Sequence, residues 1–133
     1  MKHHVEFIPI NKVMLIDDDT AANYLSKELM EQLHAANEIA IAENGLIACE
    51  MMKHEDCPDV IFLDIKMPQM DGFDFLECLK SIALSKNVKI IMLTSSVRPE
   101  DKEKAFTYKG VVDYFEKPLT PEKLQLVASH YLN

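Results

Sequence analysis

The 133-residue chain is 48% hydrophobic and 27% charged, and its 22 acidic against 14 basic residues leave a net charge of −8. That length suits one domain with its own core; the lack of any basic stripe excludes a nucleic-acid surface, and the acidity favours solubility, metal binding or basic protein partners. Apolar runs of four or five residues are far short of the ~20 needed to cross a membrane.

Met1 to Asn11 carries no long apolar run and is not a signal peptide. Residues 1–11 read as an N-terminal extension and lead-in, and 12–133 as the domain. The three cysteines, Cys49, Cys57 and Cys78, are odd in number and lack paired spacing. They argue against a disulfide framework and for a reducing compartment, and no cysteine–histidine spacing suggests zinc. The chain is therefore expected to be soluble and cytoplasmic.

In chain order, the apolar run Val13–Ile16 predicts a first strand. Thr20 to Leu33 follows as a helix, with Ala21, Tyr24, Leu25, Leu29 and Leu33 near helical spacing and Asp19 or Thr20 as N-cap. Glu38–Ala42 predicts a second strand, ended by Asn44-Gly45, and Leu46–Lys53 a second helix. Val60–Leu63 is apolar on both faces, as a buried parallel strand should be. Pro68 and Gly72 then mark a loop, and Phe73–Ser81 a helix. Lys89–Leu93 is a fourth strand; Pro99 opens a helix to Tyr108; Asp113–Glu116 is a short fifth strand. Thr120-Pro121-Glu122 has the cap and first-turn proline of a last helix, running to about Tyr131.

Strict alternation of strands and helices implies an α/β fold, a parallel sheet with five helices on both faces. Ligands of such sheets bind at the carboxyl ends of the strands. There stand Asp17, Asp18 and Asp19 after the first strand, Asp64 after the third, Thr94 after the fourth and Lys117 after the fifth. Carboxylates a few ångström apart repel by several kcal/mol at an intermediate dielectric, and a hard cation such as magnesium relieves that repulsion. A carboxylate beside it can accept a phosphoryl group as an aspartyl-phosphate, with lysine and hydroxyl groups holding the remaining oxygens. Each residue alone has a plain reading as a helix cap or turn residue; their joint placement at strand ends singles them out.

Val13–Asp19, Ile61–Gly72, Ile91–Ser96 and Asp113–Leu119 resemble the receiver domains of two-component response regulators, including the single-domain chemotaxis type. The resemblance implies a flavodoxin-like five-stranded sheet of order 2-1-3-4-5. It makes Asp64 both the phosphoryl acceptor and a magnesium ligand, Asp17 and Asp18 the acidic pair that holds the ion, and the backbone carbonyl of Lys66 a further ligand; manganese could substitute. Thr94 is then the hydroxyl that reorients onto the phosphoryl group, Lys117 its ionic partner, and Tyr114 the aromatic switch residue. The Lys117–Pro118 bond is expected to be cis. Lys66 and Ser96, each two residues beyond a site residue, border the route of the hydrolytic water and should tune phosphoryl lifetime.

The implied donor is a sensor histidine kinase or a histidine phosphotransfer protein. The output is an unidentified protein docking on the face from Pro99 to Tyr131, with the chain a monomer or a phosphorylation-dependent dimer. The chain is thus expected to be a switch and not a turnover enzyme. A dehalogenase-type phosphatase would need an acid where Lys66 stands, and a flavodoxin-like electron carrier would not place Asp17-Asp18-Asp19 at a phosphate loop. The remaining alternatives are a receiver-fold module that is not phosphorylated in the cell and a receiver fragment of a longer regulator. The five histidines (His3, His4, His34, His54, His130) fall on expected tails, helices or loops and read as structural or surface residues, not as phosphoryl donors. The charges from Arg98 to Lys104 read equally as a solvated face or an interaction surface.

Overall fold

The computed structural model describes residues 8–132. His3, His4 and the first seven positions of the expected extension lie outside the described residues. Ten elements alternate: β1 (Ile10–Ile16), α1 (Thr20–Gln32), β2 (Ala36–Ala42), α2 (Gly45–His54), β3 (Val60–Leu63), α3 (Gly72–Lys80), β4 (Lys89–Thr94), α4 (Pro99–Phe106), β5 (Val111–Glu116) and α5 (Pro121–Tyr131). All pairings are parallel and the sheet order is β2-β1-β3-β4-β5.

Side chains alternate across this sheet because strand periodicity is two. Met14, Ile16, Ile61, Leu63, Ile90 and Met92 join Ala48, Phe75, Leu76 and Ala105 in one buried layer, so α2, α3 and α4 cover that face. Val13, Leu15, Val60, Phe62, Ile91 and Leu93 join Met30, Leu124 and Val127 in the other, beneath α1 and α5. Both faces being covered, the central strands are continuous apolar runs.

Three strands start earlier than the apolar runs suggest. β1 begins at Ile10 and not Val13, because Ile10 N–H bonds the Ala35 carbonyl at 2.8 Å and Lys12 pairs with Glu38. β2 begins at Ala36 and β5 at Val111, just after Gly110 turns the chain with φ +98°. α4 stops at Phe106, where Thr107 caps it, short of Tyr108.

The face that α1 buries also differs from the expected one. Tyr24 and Leu25 are exposed, whereas Asn23, Ser26 and Met30 are buried. Asn23 turns inward because its side-chain amide donates to the Asp17 carbonyl at 2.8 Å. Satisfying a buried carbonyl outweighs the transfer of one more apolar side chain.

The cysteine expectation is corrected too. Cys49 of α2 and Cys78 of α3 form a disulfide with their Cα atoms 6.4 Å apart, and Cys57 is the buried free thiol. The two are 29 residues apart in sequence, but α2 and α3 lie side by side on one face of the sheet. That proximity is created by packing and has no local spacing signal.

Among the described residues, no helix is long and apolar enough to cross a membrane.

Candidate functional site

The strand register brings the expected acids together. β1 and β3 are direct neighbours with Ile16 opposite Leu63, so the residues that follow each of them emerge side by side. Asp64 N–H bonds the Ile16 carbonyl at 2.9 Å and Asp17 N–H bonds the Ala42 carbonyl at 3.1 Å, which fixes both backbones. Asp17, Asp18 and Asp64 each offer a carboxylate oxygen, and these oxygens lie within 4.8 Å of one another. Asp17 and Asp64 are buried and Asp18 is exposed.

Three neighbouring elements hold Asp64. Its Oδ1 accepts the Ile65 N–H at 2.8 Å and its Oδ2 accepts the Lys117 ammonium at 3.1 Å. Behind it, Gly72 N–H bonds the Ile65 carbonyl at 2.7 Å, and a Cβ on Gly72 would collide with the Asp64 carbonyl oxygen. Glycine is thus required there for the close approach of α3 to the acidic loop. Asp71 caps α3 in a reciprocal box with Asp74, at 2.9 and 3.1 Å.

Lys117 follows β5, and its N–H bonds the Thr94 carbonyl at 2.9 Å. Its Nζ lies 2.6 Å from Asp17 and 3.1 Å from Asp64. Burial pushes the Asp17 acid up to about 6; Lys117 and the Asp19 N–H oppose the rise and the Asp64 charge adds to it. Burial works to lower the Lys117 ammonium, but its bond to Asp17 and the charges of both acids outweigh this and hold it above the ordinary lysine value. The Lys117–Pro118 peptide bond is cis.

Asp19 is the N-cap of α1, accepting from Ala22 N–H at 3.1 Å while its own N–H donates to Asp17 at 2.9 Å. Thr94 is fully buried, and its Oγ1 accepts the Ser96 N–H at 3.2 Å. The Tyr114 hydroxyl donates to the Ser96 carbonyl at 3.1 Å, and its ring packs against the α2–α4 layer. Burial, with the charges of Asp101 and Asp64, raises the Tyr114 phenol above its ordinary value. Lys66 is exposed, and it makes no ion pair among the described residues. His34 sits in the turn after α1, His54 ends α2 and pairs with Glu50, and His130 lies on α5, all away from the acids.

Two contributors carry no motif signal. Asn23 reads as a polar helix residue, and Asp101 as one charge in an alternating run, yet Asp101 accepts the Ser96 hydroxyl at 2.6 Å.

The donor set fits a hard divalent cation: carboxylate oxygens, two of them buried, with no sulfur or imidazole among them. An ion there would relieve the repulsion between these acids, as Lys117 and the Asp19 N–H partly do.

Residues 13–129 match the response regulator receiver domain family, and the chain belongs to that family. It is 33% identical over 116 residues to a sensor histidine kinase CheAY of Helicobacter pylori, covering 86% of this chain and 14% of the kinase. It is 37% identical over 107 residues to a protein-glutamate methylesterase/protein-glutamine glutaminase of Methylobacillus flagellatus, covering 80% of this chain and 29% of that protein. Among solved structures, a two-component response regulator from Cytophaga hutchinsonii superposes with TM-score 0.86 at 29% identity, covering 94% of this chain and 98% of that one. The Vibrio cholerae chemotaxis protein CheY4 gives TM-score 0.74 at 28% identity, over 87% and 93% of the two chains. Receiver domains are signalling switches that bind magnesium at an acidic pocket and interact with histidine kinases or phosphotransfer proteins.

Proposed function

We propose that this chain is a response regulator receiver domain whose Asp64 accepts a phosphoryl group in a magnesium-dependent reaction. The observation that carries this reading is the convergence of Asp17, Asp18 and Asp64 within 4.8 Å, with Lys117 bridging two of them. Residues 12–133 form the switch unit and 1–11 lead into it, the last two already lying in β1.

The donor is a phosphohistidine of a sensor kinase or a phosphotransfer protein. An Asp64 carboxylate oxygen bonds to phosphorus as the donor's P–N bond breaks, and the departing imidazole keeps the electron pair and takes up a proton. Asp17, Asp18, Asp64 and the Lys66 backbone carbonyl would hold the magnesium (or manganese), which when bound would offset the charge on the phosphoryl oxygens. Lys117 pairs with one of those oxygens, and Thr94 donates its hydroxyl to another.

Turning Thr94 toward the phosphoryl group alters the Ser96 loop and the seat of Tyr114. The change is read on the face from Pro99 to Tyr131 by a partner protein, or by a second copy if phosphorylation drives dimerisation. Lys66 and Ser96 set how long the phosphoryl group survives. The proposed setting is cytoplasmic, where thiols are kept reduced, so Cys49 and Cys78 would stand there as neighbouring thiols.

Incubation with radiolabelled acetyl phosphate and magnesium tests the assignment. Stoichiometric, acid-stable and base-labile label is expected on the wild type and none on Asp64→Asn. Equal labelling of Asp64→Asn would overturn the site, and an unlabelled wild type would favour an interaction module that keeps only the fold.

A further inference from the structure

Ser96 ties three elements together. Its N–H donates to Thr94 Oγ1 at 3.2 Å, at the end of β4. Its carbonyl accepts the Tyr114 hydroxyl at 3.1 Å, from β5. Its own hydroxyl donates to Asp101 Oδ2 at 2.6 Å, on α4. The Arg98 N–H also approaches Ser96 Oγ, at 3.4 Å.

The Ser96–Asp101 contact has the length of a charge-assisted bond, the stronger class of hydrogen bond. α4 also lacks an ordinary cap: Arg98 stands at the N-cap position and makes no side-chain cap bond. The bond to Asp101 therefore closes the β4–α4 loop onto the helix. Were it lost, the Ser96 hydroxyl would keep only the long Arg98 N–H contact, and the backbone bonds from Asp101 and Lys102 N–H to the Arg98 carbonyl would still start the helix without holding the Ser96 peptide that seats Tyr114.

We propose that Asp101 is a positioning residue of the switch: by holding the Ser96 hydroxyl, it fixes the carbonyl that seats Tyr114 and so couples α4 to the Thr94 end of the site. The seating of Tyr114 is inferred from the Ser96 and Asp101 bonds alone. Only the effect on phosphoryl lifetime rests on the functional reading above. A partner that pulls on the first turn of α4 reaches the phosphoryl site through this bond.

The full chain carrying 3-fluorotyrosine tests the proposal by fluorine NMR, with the Tyr114 resonance among the four tyrosines assigned from Tyr114→Phe. Asp101→Ala and Ser96→Ala should each move that resonance toward the position of an exposed tyrosine, as a roughly tenfold rise in the released fraction. Asp101→Asn, whose amide oxygen still accepts from Ser96, should stay near wild type. The double variant Ser96→Ala/Asp101→Ala should shift no further than either single change.

In protein labelled at Asp64, the two alanine variants should share one altered rate of phosphoryl loss that Asp101→Asn does not show. An unmoved Tyr114 resonance in Asp101→Ala, or shifts that simply add in the double variant, would overturn the proposal. If Asp101→Ala does not fold, Ser96→Ala against Asp101→Asn makes the same comparison. Should the wild type take no phosphoryl group, the functional reading fails while the fluorine signal still decides the role of Asp101.

Discussion

The Lys117 ammonium stands 2.6 Å from the Asp17 carboxylate, although two strands separate β5 from β1 in the sheet. The pair spans the carboxyl edge of the sheet directly over Asp64. Both partners are largely withdrawn from water, with side-chain exposures of 18% and 8%, so the contact is little screened by solvent.

That arrangement costs stability without a metal. The folded pKa of Asp17, about 6, lies above its unfolded value, so the fold disfavours the ionised form. The stability tied to its proton is complete below about pH 4 and is lost as the pH rises through about 6. Asp17→Asn is therefore expected to raise metal-free stability at neutral pH by about 1–2 kcal/mol while weakening magnesium binding at least about tenfold. Lys117→Ala should do the reverse to stability, lowering it by about 1–3 kcal/mol. Urea unfolding with and without magnesium measures both, and a destabilised Asp17→Asn would contradict the account.

Gly72 should tolerate no side chain. A Cβ there meets the Asp64 carbonyl oxygen and comes within 3.0 Å of the Ile65 Cα, both backbone atoms that cannot swing aside. Gly72→Ala is expected to cost about 2–4 kcal/mol and to slow acetyl phosphate labelling by shifting Asp64. Thermal unfolding together with labelling rates checks this; a stable variant with normal labelling would show that α3 can move away freely.

Lys66 is exposed and free of ion pairs among the described residues, so its ammonium is available to a phosphoryl group on Asp64 two residues earlier. Lys66→Asn is expected to shorten the phosphoryl lifetime several-fold, since a positive charge near the group is worth about 1 kcal/mol at the surface. Following loss of label after removal of donor measures it, and an unchanged or longer lifetime would sink the idea.

Two tyrosines give the fold a sensitivity to alkali. Tyr131 donates to Asp113 and Tyr108 to Glu77, each at 2.6 Å. Those bonds, then burial, push both phenols up to about 12. Unfolded tyrosine titrates near 10. The stabilisation is therefore present in full below about pH 10 and disappears as pH rises through about 12. Tyr108→Phe/Tyr131→Phe should be less stable than wild type at pH 8, with the gap closing toward pH 12. Denaturation midpoints across that range measure the gap, and a constant difference would rule the phenols out.

How much of this was legible in the sequence follows from the range over which each signal acts. The elements and the doubly covered sheet were readable because apolar periodicity is local. Asp17, Asp18, Asp64, Thr94 and Lys117 were readable as a set because each stands at or just past the end of a strand, and parallel strands must bring those ends to one edge. Strand starts were less clear: Ile10 and Ala36 belong to strands through pairing with each other, not through any pattern of their own.

What only the tertiary structure decided are the contacts between side chains on separately packed elements. Tyr24 and Leu25 had the spacing of a buried face, but α1 is rotated so that Asn23 can reach the Asp17 carbonyl. Cys49 and Cys78 met because α2 and α3 lie together, and Asp101 was one charge among several until α4 was set against the Ser96 loop. The sequence by itself determined which acids gather at Asp64, since strand direction and period allow a single edge. The rotation of each helix about its own axis is settled by the competition of packing and buried hydrogen bonds over the whole molecule, and that rotation decided which residues hold the site in place.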